Sequence, residues 1–432
     1  MPDTNKIDDP PGLSPERIIV VIGPLELGGA ERQAIQLARC LMQEQQAIVE
    51  VWGCGPPGRA TELCDEFGVP WRAAPIPLPW SEKRSEQLKR LARFARALRQ
   101  ARPSVILPFM FLPSVVCGLT WRLTGARLCV WNQRDEGRDR LDAWAERWAT
   151  RLTPRFVANS GHGAEFLTQT LRVRDERVSV VHNGVMLAAP ERDRSDWRAQ
   201  LEVSDNCLLA CMVANLHSFK DHETLLRAWR IAIDRLTRER LEAVLLLAGR
   251  FDDKYAALKQ LAGDLRLGDT VRFLGPVRDI SGLLQAVDLG VHSSTNEGCP
   301  NGVLECMAAG LAVVGTDYAG IREAVGPRSY EFLAAPHDAE ALAAQIVRFA
   351  LDPTLRAEAG AANHLRAETE FDPRLMYEKM LPIIASRAGS RTQPARMPDE
   401  SDANGEDASS APVRSPRGRL GLSESRAEAR KE

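Results

Sequence analysis

With 432 residues the chain is too long for one compact core and suits two domains of ordinary size. Apolar residues make up 44% and charged residues 26%, a globular composition that excludes a fibrous or wholly disordered chain. The formal net charge of -2 provides no global attraction to nucleic acid or acidic lipid, so any basic surface is local and no nucleic-acid partner is expected.

Residues 1–14 are polar, contain no apolar signal core and are expected to form a disordered tail, which points to a cytoplasmic protein. The nine cysteines are scattered without a CxxC pair, so buried thiols in a reducing compartment fit better than a disulfide framework or a zinc site. From Arg17 onward, short Val/Ile/Leu-rich runs alternate with helical patterns. Strands are predicted at Arg17–Gly23, Ala47–Gly53, Val105–Phe109, Arg127–Asn132, Phe156–Asn159, Val178–His182, Leu208–Ala214, Ala243–Gly249, Val271–Gly275, Leu289–Ser293 and Ala312–Thr316. Continuous apolar runs of this kind mark strands buried on both faces of a parallel sheet. The fold class is therefore α/β, with two doubly wound Rossmann-like units in series. The expected division is 15–186 and 187–372, joined near VVHNGVMLAAPERDRSDWRAQ, with a helix at 373–387 packing back on the first unit and a disordered tail at 388–432.

Several stretches invite a functional reading. Gly28 and Gly29 open a helix after the first strand, where a glycine-rich turn lets a backbone approach closely. Gly53-Cys54-Gly55-Pro56-Pro57-Gly58 matches GxGxxG literally, but the two prolines remove N–H donors that a pyrophosphate would need, so it reads as a turn. Ser81–Arg102 is a basic helix in which Leu88, Leu91, Ala95 and Leu98 form an apolar stripe and Lys89, Arg93 and Arg96 another face. It is either a solvated helix packed on a sheet or a peripheral contact with an anionic membrane. Ser104–Trp121 lacks charge, but Pro108 and Pro113 divide it into a strand and a helix start rather than a membrane span. His162 and His182 end strand units and read as structural histidines or cleft residues, and Asp288 as a turn or cap contact.

The chemistry concentrates in the second unit. Lys220 lies on the loop after the strand at Leu208, the carboxyl end where ligands bind in parallel sheets. After the strand ending near Ser293, a loop carries Glu297, Gly298, Cys299 and Pro300, and a helix starts near Asn301. The N–H groups of Gly302, Val303 and Leu304 at that start form a natural diphosphate cradle. Glu297 and Glu305, eight positions apart, can reach sugar and ribose hydroxyls on either side of it.

Taken together, GGAERQAIQLA at Gly28, VANSGHGAEFL at Val157, VVHNGV at Val180 (with Asn183), NLHSFKDHETLLRA at Asn215, LLLAGR at Leu245 and the segment from Val271 to Gly298 resemble the family-4 retaining glycosyltransferases of the GT-B architecture, over residues 15 to 387. The resemblance implies two Rossmann-like domains facing a cleft, with Gly28, Gly29, His162 and Asn183 on the acceptor side. It implies Lys220 on the donor diphosphate, Glu297 at the hexose, Glu305 on the ribose, and Val277 and Arg278 beside the base. Its substrates would be a nucleoside-diphosphate sugar and a glycan, lipid-linked or small-molecule acceptor, with no cofactor; no DxD-like metal motif is present. Two positions depart from the family: Asn215 stands where many members have an arginine, for which Arg250 is a substitute, and PFMFLPS from Pro108 lacks a histidine. A catalytically silent sugar-nucleotide binder and a GT-B epimerase share these motifs and remain alternatives.

Overall fold

Thirteen strands arranged in two parallel sheets set the architecture of the computed structural model, which describes residues 16–386 apart from 82, 136 and 138–140. The predicted tails at 1–14 and 388–432 lie outside the described residues. The first sheet contains β1 (Arg17–Pro24), β2 (Ile48–Cys54), β3 (Trp71–Ala73), β4 (Val105–Pro108), β5 (Leu128–Gln133), β6 (Arg155–Ala158) and β7 (Val178–Val180), in the order β3-β2-β1-β4-β5-β6-β7. The second contains β8 (Leu208–Val213), β9 (Ala243–Ala248), β10 (Val271–Gly275), β11 (Leu289–His292), β12 (Val313–Thr316) and β13 (Leu333–Ala334), in the order β10-β9-β8-β11-β12-β13. Both are doubly wound, and each reverses direction beside its own first strand: between β1 and β4, and between β8 and β11. The crevice outside the carboxyl ends of the strands at such a reversal is where open α/β sheets bind ligands.

The strands follow from burial. β4, β5, β6, β8, β9, β11 and β12 are almost wholly buried, as helices cover both faces. On the second sheet, Trp229 and Phe349 fill the core on one face, and Trp197, Leu283, Leu304 and Met307 fill the other. β3 and β13 were not predicted, because three- and two-residue edge strands give no hydrophobic period to read.

The uncharged stretch from Ser104 is β4 followed by a buried helix, Phe111–Thr120. No helix among the described residues is long and apolar enough to cross a membrane. The basic segment forms a helix, Arg84–Ala101, that buries Gln87, Leu91, Phe94, Ala95 and Leu98. Leu88 does not belong to that stripe: it is 57% exposed. Each helical residue turns about 100° from its predecessor, which carries Leu88 off the face that Gln87 buries.

Two chain crossings join the halves. At the first, Gln33 Nε2 donates to the Gly184 carbonyl at 2.8 Å, and the Gly184 N–H returns a bond to Gln33 Oε1 at 3.1 Å. At the second, Phe371 accepts from the Val185 N–H at 2.8 Å before the chain enters helix Pro373–Ala385. Met376, Tyr377, Met380, Ile383 and Ile384 of that helix belong to the core of the first sheet.

Candidate functional site

The loops after β8 and β11 lie side by side because their strands are neighbours in the sheet. Ser294 Oγ and the Thr295 N–H both donate to the Phe219 carbonyl, at 2.9 and 3.0 Å, and Ser293 Oγ donates to Asp221 O at 2.8 Å. Thr316 ties the second loop to β12, accepting from the Ser294 N–H at 3.0 Å and donating back to its carbonyl at 2.9 Å. This lacing brings Lys220 onto Glu297 as an ion pair, although 77 residues separate them. Glu297 is also 3.0 Å from His292 Nε2 at the end of β11. The carboxylate can only accept, so Nε2 carries the proton.

Glu297 is 4% exposed. Burial by itself would raise its pKa, but Lys220 and His292 together overcome burial and hold it below the ordinary carboxylate value. Burial depresses the His292 pKa despite the opposing pull of Glu297, so the imidazole is neutral at physiological pH. Burial likewise takes His222 down to about 3.

Helix Asn301–Ala308 begins at this junction. Its Gly302 is required by contact, since a Cβ there would lie 2.0 Å from the Val213 carbonyl at the end of β8. The helix start offers fewer free N–H groups than expected. The N–H groups of Val303 and Leu304 donate to Pro300 O at 3.0 and 3.2 Å, which leaves the amides of Asn301 and Gly302 for a ligand. The Val303 and Leu304 side chains are fully buried.

The first half closes over this corner to form a cleft of about 400 Å³, lined from both halves. Asn183 Nδ2 donates to Asn301 Oδ1 at 2.7 Å and to the Cys299 carbonyl at 3.0 Å, while Asn301 Nδ2 donates to Gly29 O at 3.0 Å. Outside the cleft lining, Glu323 of the second half receives the Gly161 N–H at 2.9 Å and His182 Nε2 at 2.7 Å.

Two adjoining family profiles match this arrangement: Glycosyltransferase Family 4 over residues 27–189, and Glycosyl transferases group 1 over residues 208–352. The chain belongs to the group 1, family-4 glycosyltransferases. Among relatives of this family, it is 30% identical to a D-inositol 3-phosphate glycosyltransferase of Streptomyces avermitilis over 222 residues, half of this chain and 48% of that one. It is also 30% identical over 142 residues to the amylovoran biosynthesis glycosyltransferase AmsK of Erwinia amylovora, 31% of this chain and 35% of that one. The chain thus spans about half the length or less of these curated relatives. In three dimensions it is similar to Anabaena HepE in complex with UDP-glucose, with a TM-score of 0.73, 22% identity, and coverage of 85% of this chain and 99% of the other. It is similar also to the lipopolysaccharide-biosynthesis glycosyltransferase WaaG, at a TM-score of 0.65 and 17% identity over 86% of this chain and all of the other. These likenesses establish the GT-B fold.

Most residues singled out within the family motifs line one cleft: Gly28, Gly29, Asn183, Asn215, Lys220, Arg250, Val277, Glu297, Cys299, Pro300, Asn301, Gly302 and Glu305. Gly298, Val303, Leu304, Arg278 and His162 are not part of that lining, and Arg250 lines it already paired. Arg278 is 85% exposed and pairs with Glu191 at 3.4 Å, because the chain after β10 turns it outward. His162 sits on the short helix Gly161–Glu165, 3.4 Å from Glu165 and edge-on to Tyr318, outside the cleft lining. Arg250 is not a spare cation, since Asp252 holds its Nε at 2.5 Å and raises its pKa. Asn215 uses its Oδ1 to receive the Arg250 N–H at 3.0 Å.

Sequence reasoning missed His292, Arg32, Glu31 and Arg134. Arg32 lies near enough to Glu305 to offset part of the rise in pKa that burial causes there. Glu31 turns its carboxyl back onto the Gly28 backbone at the start of its own helix. In the histidine-free stretch PFMFLPS, Met110 lines the cleft with φ at +73°, a strained backbone for a non-glycine residue.

Proposed function

We propose that the chain is a cytoplasmic retaining glycosyltransferase that moves a hexose from a nucleoside-diphosphate sugar to a glycan, lipid-linked or small-molecule acceptor. The observation carrying this reading is the meeting of Lys220, Glu297 and the amino end of helix Asn301–Ala308 at the β8/β11 reversal, inside a cleft shared by both halves. The diphosphate lies between Lys220 and the Asn301 and Gly302 amides, Glu305 takes the ribose, Val277 flanks the base, and Glu297 faces the hexose. The bond between the anomeric carbon and the β-phosphate oxygen breaks, and the acceptor oxygen bonds to the same face. The acceptor proton passes to the departing phosphate. Lysine and helix amides stabilise that anion directly, so no cofactor takes part. Glu297, paired with the lysine, holds its ammonium at that position.

A thermal-shift panel of UDP-, GDP- and ADP-sugars, run in EDTA and followed by donor hydrolysis, tests the reading. One donor class is expected to raise Tm by mass action and to be hydrolysed slowly. Binding without hydrolysis or transfer would favour a silent binder, and inversion at a sugar carbon an epimerase; a Mg²⁺ requirement for turnover would contradict metal-independent chemistry.

The exposed Lys89, Arg93 and Arg96 beside exposed Leu88 support a peripheral membrane contact that would present a lipid-linked acceptor. Each basic residue near an anionic surface contributes about 1 kcal/mol, so neutralising all three is expected to weaken vesicle binding on the order of 100-fold. Co-sedimentation with phosphatidylserine vesicles measures it, and a parent protein that does not sediment would leave the helix as a solvated one.

A further inference from the structure

Arg134 follows β5 in the first half, lines the cleft and is only 6% exposed. Its guanidinium sits 4.6 Å from the Phe109 ring centroid. Nη1 donates to Asn183 Oδ1 at 2.9 Å and Nη2 reaches Asn132 Oδ1 at 3.4 Å, while the buried Nε has no acceptor among the described residues. Two of a guanidinium's five N–H groups therefore have partners, and among the described residues no carboxylate contacts it. Burial lowers its pKa to about 10, which leaves it cationic at neutral pH. The neighbouring cations are balanced, Lys220 by Glu297 and Arg250 by Asp252. A buried charge held, among the described residues, by amide oxygens and a ring face but no carboxylate costs stability, and an arriving anion removes that cost. The backbone of Arg134 abuts the catalytic loop, since a Cβ on Gly298 would lie 2.7 Å from the Arg134 carbonyl oxygen.

We propose that Arg134 is a substrate-binding residue that takes phosphate oxygens in the cleft, a cation supplied across it by the half opposite Lys220. This rests on reading the cleft as a nucleoside-diphosphate-sugar site. The phosphate could be the donor's or one carried by the acceptor; contact with Gly298, next to Glu297, favours the donor's.

The test uses full-length parent protein, Arg134→Gln and Arg134→Lys, titrated calorimetrically with UDP, GDP and ADP. Each nucleotide-saturated protein is then titrated with inorganic phosphate, and unliganded Tm is recorded. Arg134→Gln is expected to weaken the nucleotide that the parent binds by roughly 10- to 100-fold. Its unliganded Tm should stay level or rise, because an uncompensated buried charge is gone, and Arg134→Lys should fall between the two in affinity. Unchanged nucleotide affinity with loss of phosphate binding to the saturated protein would assign Arg134 to a phosphate on the acceptor. Parent-like affinity for both probes, with a lowered Tm, would make Arg134 a structural residue and overturn the proposal. Should Arg134→Gln not fold, Arg134→Lys decides, and parent-like affinity for both probes in that variant overturns it. A parent that binds none of the nucleotides would instead sink the reading of the cleft, and the role of Arg134 with it.

Discussion

Lys220→Ala is expected to lower kcat for sugar transfer by about 10²- to 10³-fold, the usual cost of removing one preorganised group that faces charge developing in the transition state. On the proposed reading the departing diphosphate gains negative charge as the glycosidic bond breaks, and Lys220 is the charged group of the second half assigned to it. The same substitution removes the main positive partner of Glu297, which stays buried with, among the described residues, His292 donating to it. A fall in Tm should therefore accompany the loss of activity, since an abandoned buried carboxylate is costly. The double variant Lys220→Ala, Glu297→Gln separates the two effects: it should recover much of the Tm and none of the turnover. Near-parent kcat in folded Lys220→Ala would remove the lysine from the reaction.

What could be read from the chain, and what could not, divides along a physical line. Each strand bordering the site is a continuous apolar run, and each functional loop follows one, so Lys220, Glu297 and the helix at Asn301 were legible in place. Their contact was not. It depends on β8 and β11 being adjacent in the sheet with β9 and β10 on the other side, which is a property of winding rather than of local sequence. His292 looked like one more residue inside the buried strand predicted at Leu289–Ser293, and the fold directs its Nε2 at Glu297. The expectation for Val303 and Leu304 failed because a tight first turn used their amides, a detail below the resolution of a motif. Arg134 follows a buried strand with nothing local to mark it; its guanidinium is enclosed by Phe109, Asn132 and Asn183, which the fold and not the local sequence brings together. Arg278 shows the converse, where a family position suggested contact and the local turn aims the side chain at Glu191.

Glu297→Gln and Glu305→Gln are expected to fail in different ways. Glu305 is assigned to the ribose, which changes little during the reaction, so its loss should raise KM for the donor and leave kcat near that of the parent. Glu297 is assigned to the hexose, whose ring would gain positive charge as the leaving group departs, so its loss should lower kcat more than it raises KM. The structure adds a second signature for Glu297. Lys220 and His292 hold its folded-state pKa below the ordinary 4.5 against the opposing effect of burial. A depressed carboxylate contributes stability that is present above about pH 4.5 and lost as pH falls toward the folded value. Parent Tm should therefore decline through the acid range below that pH, and Glu297→Gln should lower Tm near neutrality while flattening the acid decline. In Glu305, burial raises the pKa, so ionisation at neutral pH costs folding energy and Glu305→Gln should leave Tm level or raise it. Donor titrations and melting curves from pH 3 to pH 8, on the order of a five-unit span around these carboxylates, measure both. A kcat defect confined to Glu305→Gln would exchange the two roles, and two variants with parent kinetics would take the pair out of the active site.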